Sequence, residues 1–376
     1  MIKVFHFISD TNIGGAGNLL CNQIKNMGGQ DIDITVVLPS GSMLKDKMSA
    51  LPCHLIETRH SADRSFCASG VIEDYMILKK HRPDIVHSHA SLSSRIAATA
   101  LGIPSRIHTR HCVFPLSPMI KNPLGKAICG AANNILSTKM IAVADAAREN
   151  LIDMGCSKKK IETVINGSEP IRRYSEEDRA CLRERFSLDK NSFVVSIFAR
   201  LEEYKGHKTF LDAAKICKKY CPDFRFFIVG DGSQKEELKS YAESLGLGNT
   251  VHFSGFVSDV SPYFNITDVN VNCSFGTETS SLAISEGMSL GIPSVVSDFG
   301  GNTHMVKNGE EGFVFPVKNA ESLAICLIRL YRDRELYEKI SQRARARYER
   351  EFTARAMSDR MAGIYHKEYY KKRVRK

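Results

Sequence analysis

The strongest constraint on this chain is an alternation that occurs twice. Strand-like apolar runs stand at residues 2–8, 34–38, 53–57, 84–89, 106–111 and 140–143, with helix-period stretches such as 71–80 and 93–101 between them. The pattern restarts with runs at 193–199, 224–229, 250–253, 269–272, 294–297 and 312–315, separated by helix-like stretches at 205–220 and 235–245. Strands that alternate with helices predict parallel sheets wound on both faces, an α/β architecture. At 376 residues the chain exceeds what one core organises, so two doubly wound domains are expected. The break falls in the charged stretch that follows Asn166-Gly167-Ser168-Glu169-Pro170, which reads as a linker with a short helix. In such sheets ligands sit outside the carboxyl ends of the strands, so a cleft between two facing domains is the expected site.

Charge and cysteine content exclude several classes. Residues 172–350 hold 25 basic and 25 acidic side chains, so the net charge of +10 lies in the two ends. No helix-turn-helix, zinc-finger or single-strand-binding pattern accompanies it, so no nucleic-acid partner is expected; an anionic membrane surface suits the same basicity. The eleven cysteines show no paired zinc spacing and read as reduced thiols of a reducing compartment. The start MIKVFHFISD turns polar too soon for a signal peptide, and no apolar run approaches the roughly 18 residues of a membrane span. A cytoplasmic protein is expected. Asp31-Ile32-Asp33 has a metal-binding look but sits at the start of a strand, so it reads as a turn and no metal ligand is assigned.

Chemistry concentrates in residues 273–301, CSFGTETSSLAISEGMSLGIPSVVSDFGG. Glu278 and Glu286 are separated by seven residues, and a helix starting near Ser280 would bring both carboxylates to one pocket. Its N-terminus offers unpaired backbone N–H groups among Thr279, Ser280 and Ser281, a setting that suits a phosphate. Carboxylates accept from hydroxyls in pairs, so the ligand this suggests is a nucleotide sugar. Arg200 and Lys205, in ARLEEYKGH past the first strand of the second half, could take the charge of a departing diphosphate. His87 and His89 share one strand face, and His111 ends the next strand. A glycine loop at 11–17 follows the first strand; it lacks the third glycine of a dinucleotide fingerprint.

The glutamate pair, followed by Gly291-Ile292-Pro293, Ser294-Val295-Val296 and Gly300-Gly301-Asn302, resembles the donor site of retaining glycosyltransferases of the GT-B fold, in the large family four. The resemblance covers nearly the whole chain. Two positions depart from it: Thr279 and Gly287 stand where the family commonly has Gly and Ala. The resemblance implies two Rossmann-like domains facing across a cleft: residues 1–171 plus about 354–376 on the acceptor side, and 172–353 binding the donor. It implies a C-terminal helix that crosses back to the first domain.

The same resemblance implies roles. Glu278, Arg200, Lys205 and His111 would be catalytic, with His111 near the 6-hydroxyl of the transferred sugar and His87, His89 and His108 structural. Gly14, Gly15, Gly230, Val257, Ser280, Ser281, Leu282 and Glu286 would bind the donor, Glu286 through the ribose hydroxyls and Val257 through its backbone beside the base. No cofactor is implied; the nucleotide sugar, a UDP-sugar by expectation, is a substrate, and the acceptor a glycan or lipid-linked molecule. Transfer of a hexosyl or N-acetylhexosaminyl group would proceed on one face, without metal, through placement and charge stabilisation. The stretch CVFPLSPMIKNPLGK (112–126) mixes apolar and basic residues and could dip into a membrane interface, giving a peripheral enzyme of polysaccharide biosynthesis. Two other readings are a nucleotide-sugar epimerase on the same scaffold and a glycan-binding protein without turnover.

Overall fold

A computed structural model describes residues 1–12, 14–28, 31–60, 62–113 and 116–373. The chain divides into two units, Met1–Ser168 with Ala354–Lys376, and Glu169–Thr353. The first break lies three residues before the expected one, and the hydrogen bonds give the reason. The amide of Ile171 already donates to Ser289 Oγ at 2.9 Å, and Arg173 donates to the carbonyl of Leu290 at 2.8 Å, so this segment is tied to the second unit.

The first unit carries β1 (Ile2–Ile8), β2 (Ile32–Pro39), β3 (His54–Thr58), β4 (Ile85–His89), β5 (Ser105–Arg110), β6 (Lys139–Ala142) and β7 (Ile161–Thr163). They form one parallel sheet in the order β3-β2-β1-β4-β5-β6-β7. The three-residue β7 is too short to show a period and was not expected. Covered on both faces, a parallel sheet needs continuous rather than alternating apolar strands; in β1 only Lys3 is exposed. One side packs Phe5, Phe7, Val37 and Val86 against the helices Ala68–His81 and Leu92–Ala100. The helix Ala354–Arg373 returns to this unit. The amide of Ala354 donates to Ser168 O at 2.9 Å, and Ser358 Oγ donates to the carbonyl of Gln23 at 3.1 Å.

The second unit carries β8 (Phe193–Phe198), β9 (Phe224–Val229), β10 (Val251–Gly255), β11 (Val269–Asn272), β12 (Ser294–Ser297) and β13 (Gly312–Phe315). These too are parallel, in the order β10-β9-β8-β11-β12-β13. Their core joins Phe210, Phe224, Phe226, Val195 and Leu327. In each sheet the winding direction reverses once, between β1 and β4 and between β8 and β11. Loops leaving such a strand pair diverge to opposite faces and leave a crevice at the carboxyl edge. The candidate chemistry of the second half sits in the loops that follow β8 and β11.

Candidate active site

Past β8 the chain runs through Arg200 and Leu201 into a tight turn at Glu203–Lys205, then into the helix His207–Tyr220. Lys205 was expected inside that helix. Gly206 instead intervenes, at φ 74°, a left-handed conformation that frees the lysine from the helical path. The same glycine permits close approach: a Cβ on it would lie 2.2 Å from the carbonyl oxygen of Cys273, just past β11. The amide of Phe275 donates to Tyr204 O at 2.9 Å, so the two loops at the winding reversal are joined backbone to backbone.

Across this junction Lys205 Nζ donates to Glu278 Oε2 at 2.8 Å. The same oxygen accepts from Asn272 Nδ2 at 3.1 Å and Ser274 Oγ at 2.9 Å, while no described residue donates to Oε1. Glu278 is 9% exposed. Burial opposes its charge, but Lys205, through charge and hydrogen bond, together with Asn272 and Ser274 outweighs it and holds the carboxyl below its ordinary range. Asn272 and Ser274 were not singled out from sequence; the missed signal was two polar residues at the carboxyl end of an apolar strand, one just before and one inside the segment 273–301.

Glu286 lies on the helix Leu282–Ser289 that follows in the chain. That helix begins two residues later than expected, with Ser281 as its cap, and its first internal bond runs from Ser285 N to Ser281 O. The amides before Ser285 therefore face outward as an anion seat in the sense argued from sequence. Burial pushes the Glu286 carboxyl up to about 7, and no described cation pairs with it. Two glutamates eight positions apart thus sit in opposite states, one held charged and one near its midpoint at neutral pH.

Both departures from the family pattern have a place. Thr279 is not among the residues with positive φ, so the loop makes no demand for glycine there. Gly287 makes room for Asn270, whose Nδ2 would stand 3.1 Å from an added Cβ while donating to Ala283 O at 2.8 Å. Gly300 and Gly301 pack on the other side of the loop, where a Cβ would fall 2.2 Å from Glu278 O and 1.3 Å from Thr279 O. These glycines hold the glutamate's backbone in place.

The remaining expected residues separate into three groups. Arg200 is exposed and does not touch the pair; its Nη2 donates to Tyr204 OH at 2.9 Å, and that ring lies 5.8 Å from Lys205 Nζ. Gly230, Val257, Ser280, Ser281 and Leu282 belong to the same unit. A Cβ on Gly230 would stand 2.1 Å from Ala199 O, so packing alone explains this glycine; Val257 packs beside Phe227, and Ser280 Oγ points to Met305 Sδ at 3.9 Å. Gly14, Gly15 and His111 belong to the first unit. A Cβ on Gly14 or Gly15 would meet nothing within 4 Å, so the described fold does not require glycine at either. His111 Nε2 bonds His89 Nδ1 at 2.9 Å, and burial lowers its pKa to about 4. Asp31 stands in a turn at φ 52°, 3.3 Å from the chain's amino terminus. Phe114 and Pro115 of the apolar stretch, Ile13 of the glycine loop and the last three residues of the basic tail lie outside the described residues.

Residues 178–347 match the family model described as glycosyl transferases group 1, and residues 13–170 match the one described as glycosyltransferase family 4. The chain is 31% identical, over 71% of its own length and 71% of the relative's, to the UDP-Gal:alpha-D-GlcNAc-diphosphoundecaprenol alpha-1,3-galactosyltransferase of Escherichia coli. It is 29% identical to the putative glycosyltransferase EpsD of Bacillus subtilis, over 77% of this chain and 78% of that one. Among solved structures, Anabaena Alr3699/HepE in complex with UDP and glucose superposes with a TM-score of 0.81 at 22% identity, covering 97% of this chain and 99% of that one. That likeness gives the fold, GT-B.

Two outcomes follow for the loop junction. Lys205→Met strands a buried carboxylate, at a cost of about 3 kcal/mol at pH 7. Because Lys205 and its neighbours depress the carboxyl's pKa, that stabilisation is present above about 4.5, the unfolded glutamate value, and is lost as pH falls through the lower folded value. Urea unfolding of the two proteins should therefore converge on acidification. Gly206→Ala should cost at least about 2 kcal/mol in the same measurement, since the left-handed backbone and the Cys273 carbonyl both resist a side chain.

Proposed function

The chain belongs to the glycosyl transferases of group 1, and from that membership we propose a retaining, metal-independent transferase that moves a hexosyl or N-acetylhexosaminyl group from a UDP-sugar to a lipid-linked or cell-envelope glycan. The observation that carries this reading is the buried Lys205–Glu278 pair at the winding reversal of the second sheet, beside a helix N-terminus. Glu278, with Oε1 uncommitted among the described residues, accepts from hydroxyls of the donor sugar. Glu286 accepts from the ribose, and the amides at Leu282 take phosphate oxygens. Lys205 is half neutralised by Glu278, so the leaving diphosphate draws mainly on Arg200, which has no carboxylate partner among the described residues. The developing negative charge is what these two cations stabilise. UDP as the nucleotide is supported by the Escherichia coli relative's named donor and by the UDP complex of the Anabaena protein.

The acceptor reading has its own support in the first unit. On the helix Pro123–Leu136, Leu124, Ile128 and Ile135 are 69%, 62% and 63% exposed and fall on one stripe, with Met119 and Lys121 exposed just before it. An apolar stripe beside lysines suits the interface of an anionic bilayer, where an acceptor such as the relative's diphosphoundecaprenol-linked sugar would reside. Among the described residues no helix is long and apolar enough to cross a membrane. On the strength of that stripe the proposal includes a peripheral hold on the inner face of a membrane.

Donor hydrolysis tests the activity. Wild type should release UDP slowly from a UDP-sugar, with EDTA without effect, and Arg200→Ala should lower turnover by about two to three orders of magnitude with its unfolding midpoint unchanged. Nuclear magnetic resonance of the first-formed product should show the donor's anomeric configuration; inversion, or loss of activity with EDTA, would refute those parts of the proposal. For the membrane surface, flotation with phosphatidylglycerol vesicles at low salt should recover wild type, and the double variant Leu124→Asp, Ile128→Asp should stay in the soluble fraction while keeping UDP release.

A further inference from the structure

Two buried polar networks differ in how they end. In the first unit His6, His87 and His89 each bring a ring nitrogen within 4.8 Å of the others. His6 Nδ1 meets His89 Nε2 at 2.9 Å, and His87 meets Tyr365 OH through Nδ1 and Thr109 Oγ1 through Nε2, each at 2.6 Å. Both nitrogens of His87 are spent on hydroxyls, so this cluster closes on itself. In the second unit the network around Glu278 has a loose end.

That end is Asn302, fully buried at the start of the short helix Asn302–Met305. Its Nδ2 donates to Ser297 Oγ at 3.0 Å and, more weakly, to Asn272 Oδ1 at 3.4 Å. Ser297 Oγ donates to the carbonyl of Ser274 at 2.6 Å, and the amide of Ser274 donates to Asn272 Oδ1 at 3.0 Å. Asn272 Nδ2 and Ser274 Oγ then both donate to Glu278 Oε2.

The sense of every link follows from counting protons. Carbonyls and carboxylates only accept, and a backbone N–H only donates. Ser297 has one proton and gives it to the Ser274 carbonyl, so its oxygen can only accept from Asn302. Asn272 must turn its NH₂ to the carboxylate, so its oxygen faces Ser274 N and Asn302. Both groups in front of Asn302 are therefore acceptors, and its NH₂ has one proton for each. Two chains thus run from Asn302 to Glu278 Oε2, one through Asn272 and one through Ser297 and Ser274. In both, every donor points toward the carboxylate. Links that share the Asn272 amide polarise one another, and the second chain fixes Ser274 through its carbonyl.

Stability does not account for Asn302. Asn272 Oδ1 already accepts from Ser274 and Ser297 Oγ already has a bond, so neither needs a further partner. Asn302 Oδ1 is buried and no described residue donates to it, and an unmet buried acceptor is costly. An apolar side chain of the same size would avoid that cost.

We propose that Asn302 is a positioning residue for sugar binding: by directing both chains at Oε2 it anchors the Glu278 carboxyl and leaves Oε1 as the face that accepts from hydroxyls of the donor sugar. The role of Oε1 rests on the donor-site reading of Glu278; the chains stand on geometry alone. Asn302 acts through Asn272 and Ser274.

The test uses the full chain and two readouts. Urea unfolding at pH 7 of Asn302→Leu, Glu278→Gln and the double variant reads the chains: the loss in the double variant should be smaller than the sum of the single losses. Calorimetry with UDP, UDP-galactose and UDP-glucose reads the sugar. Asn302→Leu should weaken whichever UDP-sugar the wild type binds more tightly by about three- to tenfold, the worth of one hydrogen bond, and leave UDP unchanged. Added to Glu278→Gln it should change neither. A purely structural defect would weaken UDP as well. Ser297→Ala, the milder change should Asn302→Leu fail to fold, cuts one chain and should move both readouts in the same direction. Additive losses would overturn the chains. Smaller-than-additive losses with an unchanged UDP-sugar affinity would overturn the role in sugar binding. Wild-type UDP-sugar affinity in Glu278→Gln, or binding of neither UDP-sugar by the wild type, would instead refute the donor-site reading of Glu278, a result that the unfolding cycle keeps separate from the chains.

Discussion

The second unit is built around one carboxylate that the surroundings must keep charged out of water. Glu278 is nearly buried, and an ionised carboxylate there survives only if donors replace its hydration. Three donors do so from three places: Lys205 from the loop after β8, Asn272 from the end of β11, and Ser274 from the loop beyond it. Much of the neighbouring backbone follows from holding these together. Gly206 lets the lysine's turn lie against Cys273, Gly276 makes room for Tyr204, and Gly300 with Gly301 lets the loop before the helix Asn302–Met305 close over Glu278 and Thr279. The winding reversal between β8 and β11 brings the two loops to one edge; the glycines let them touch.

Much of this was legible because it is written in local pattern. The alternation of strand and helix anticipates twelve of the thirteen strands among the described residues, since runs such as 193–199 and 224–229 carry their own signal. What escaped was of two kinds. The short β7 and the onset of the helices at His207 and Leu282 depend on cap geometry, and Gly206 and Ser281 look much like their neighbours in sequence. The second kind depends on register. His6 was passed over as one residue of an apolar strand, and His87 and His89 read as structural, because nothing in the sequence says that β1 lies beside β4 or that Tyr365, hundreds of positions away, ends up among them. Asn272 and Ser274 stand at the edge of the singled-out segment, but nothing local to them says that both turn toward Glu278.

Glycines illustrate why a motif match and a structural reason are separate arguments. Gly230 matches a family position, yet the Ala199 carbonyl would exclude any side chain there whatever the protein did. Gly14 and Gly15 differ: neither has positive φ, and a Cβ would find open space at both. The described fold places no demand on them, which leaves room for the close approach to the backbone that the family resemblance implies at the start of the helix Gly15–Lys25. Of the glycines singled out from sequence, these two carry the stronger case for a ligand, though the motif itself weighed all three alike.

The same discrimination applies to the two glutamates. Glu278 has surrendered one oxygen to three donors, and Lys205 has surrendered much of its charge in return, so the pair presents little net field to a ligand. Glu286 has no described cation, and burial keeps it near its midpoint at neutral pH. An anion brought close to Glu286 would drive it further toward the protonated form, since like charges disfavour ionisation. A neutral diol would not. A carboxyl poised in this way can accept two hydroxyls when charged and still hold one when protonated, whereas a phosphate beside it would be repelled by the charged form. The positions around the helix Leu282–Ser289 are thus unequal by electrostatics alone, which in the proposed reading suits phosphate to the outward amides of its first turn, a diol to Glu286 and the departing charge to Arg200.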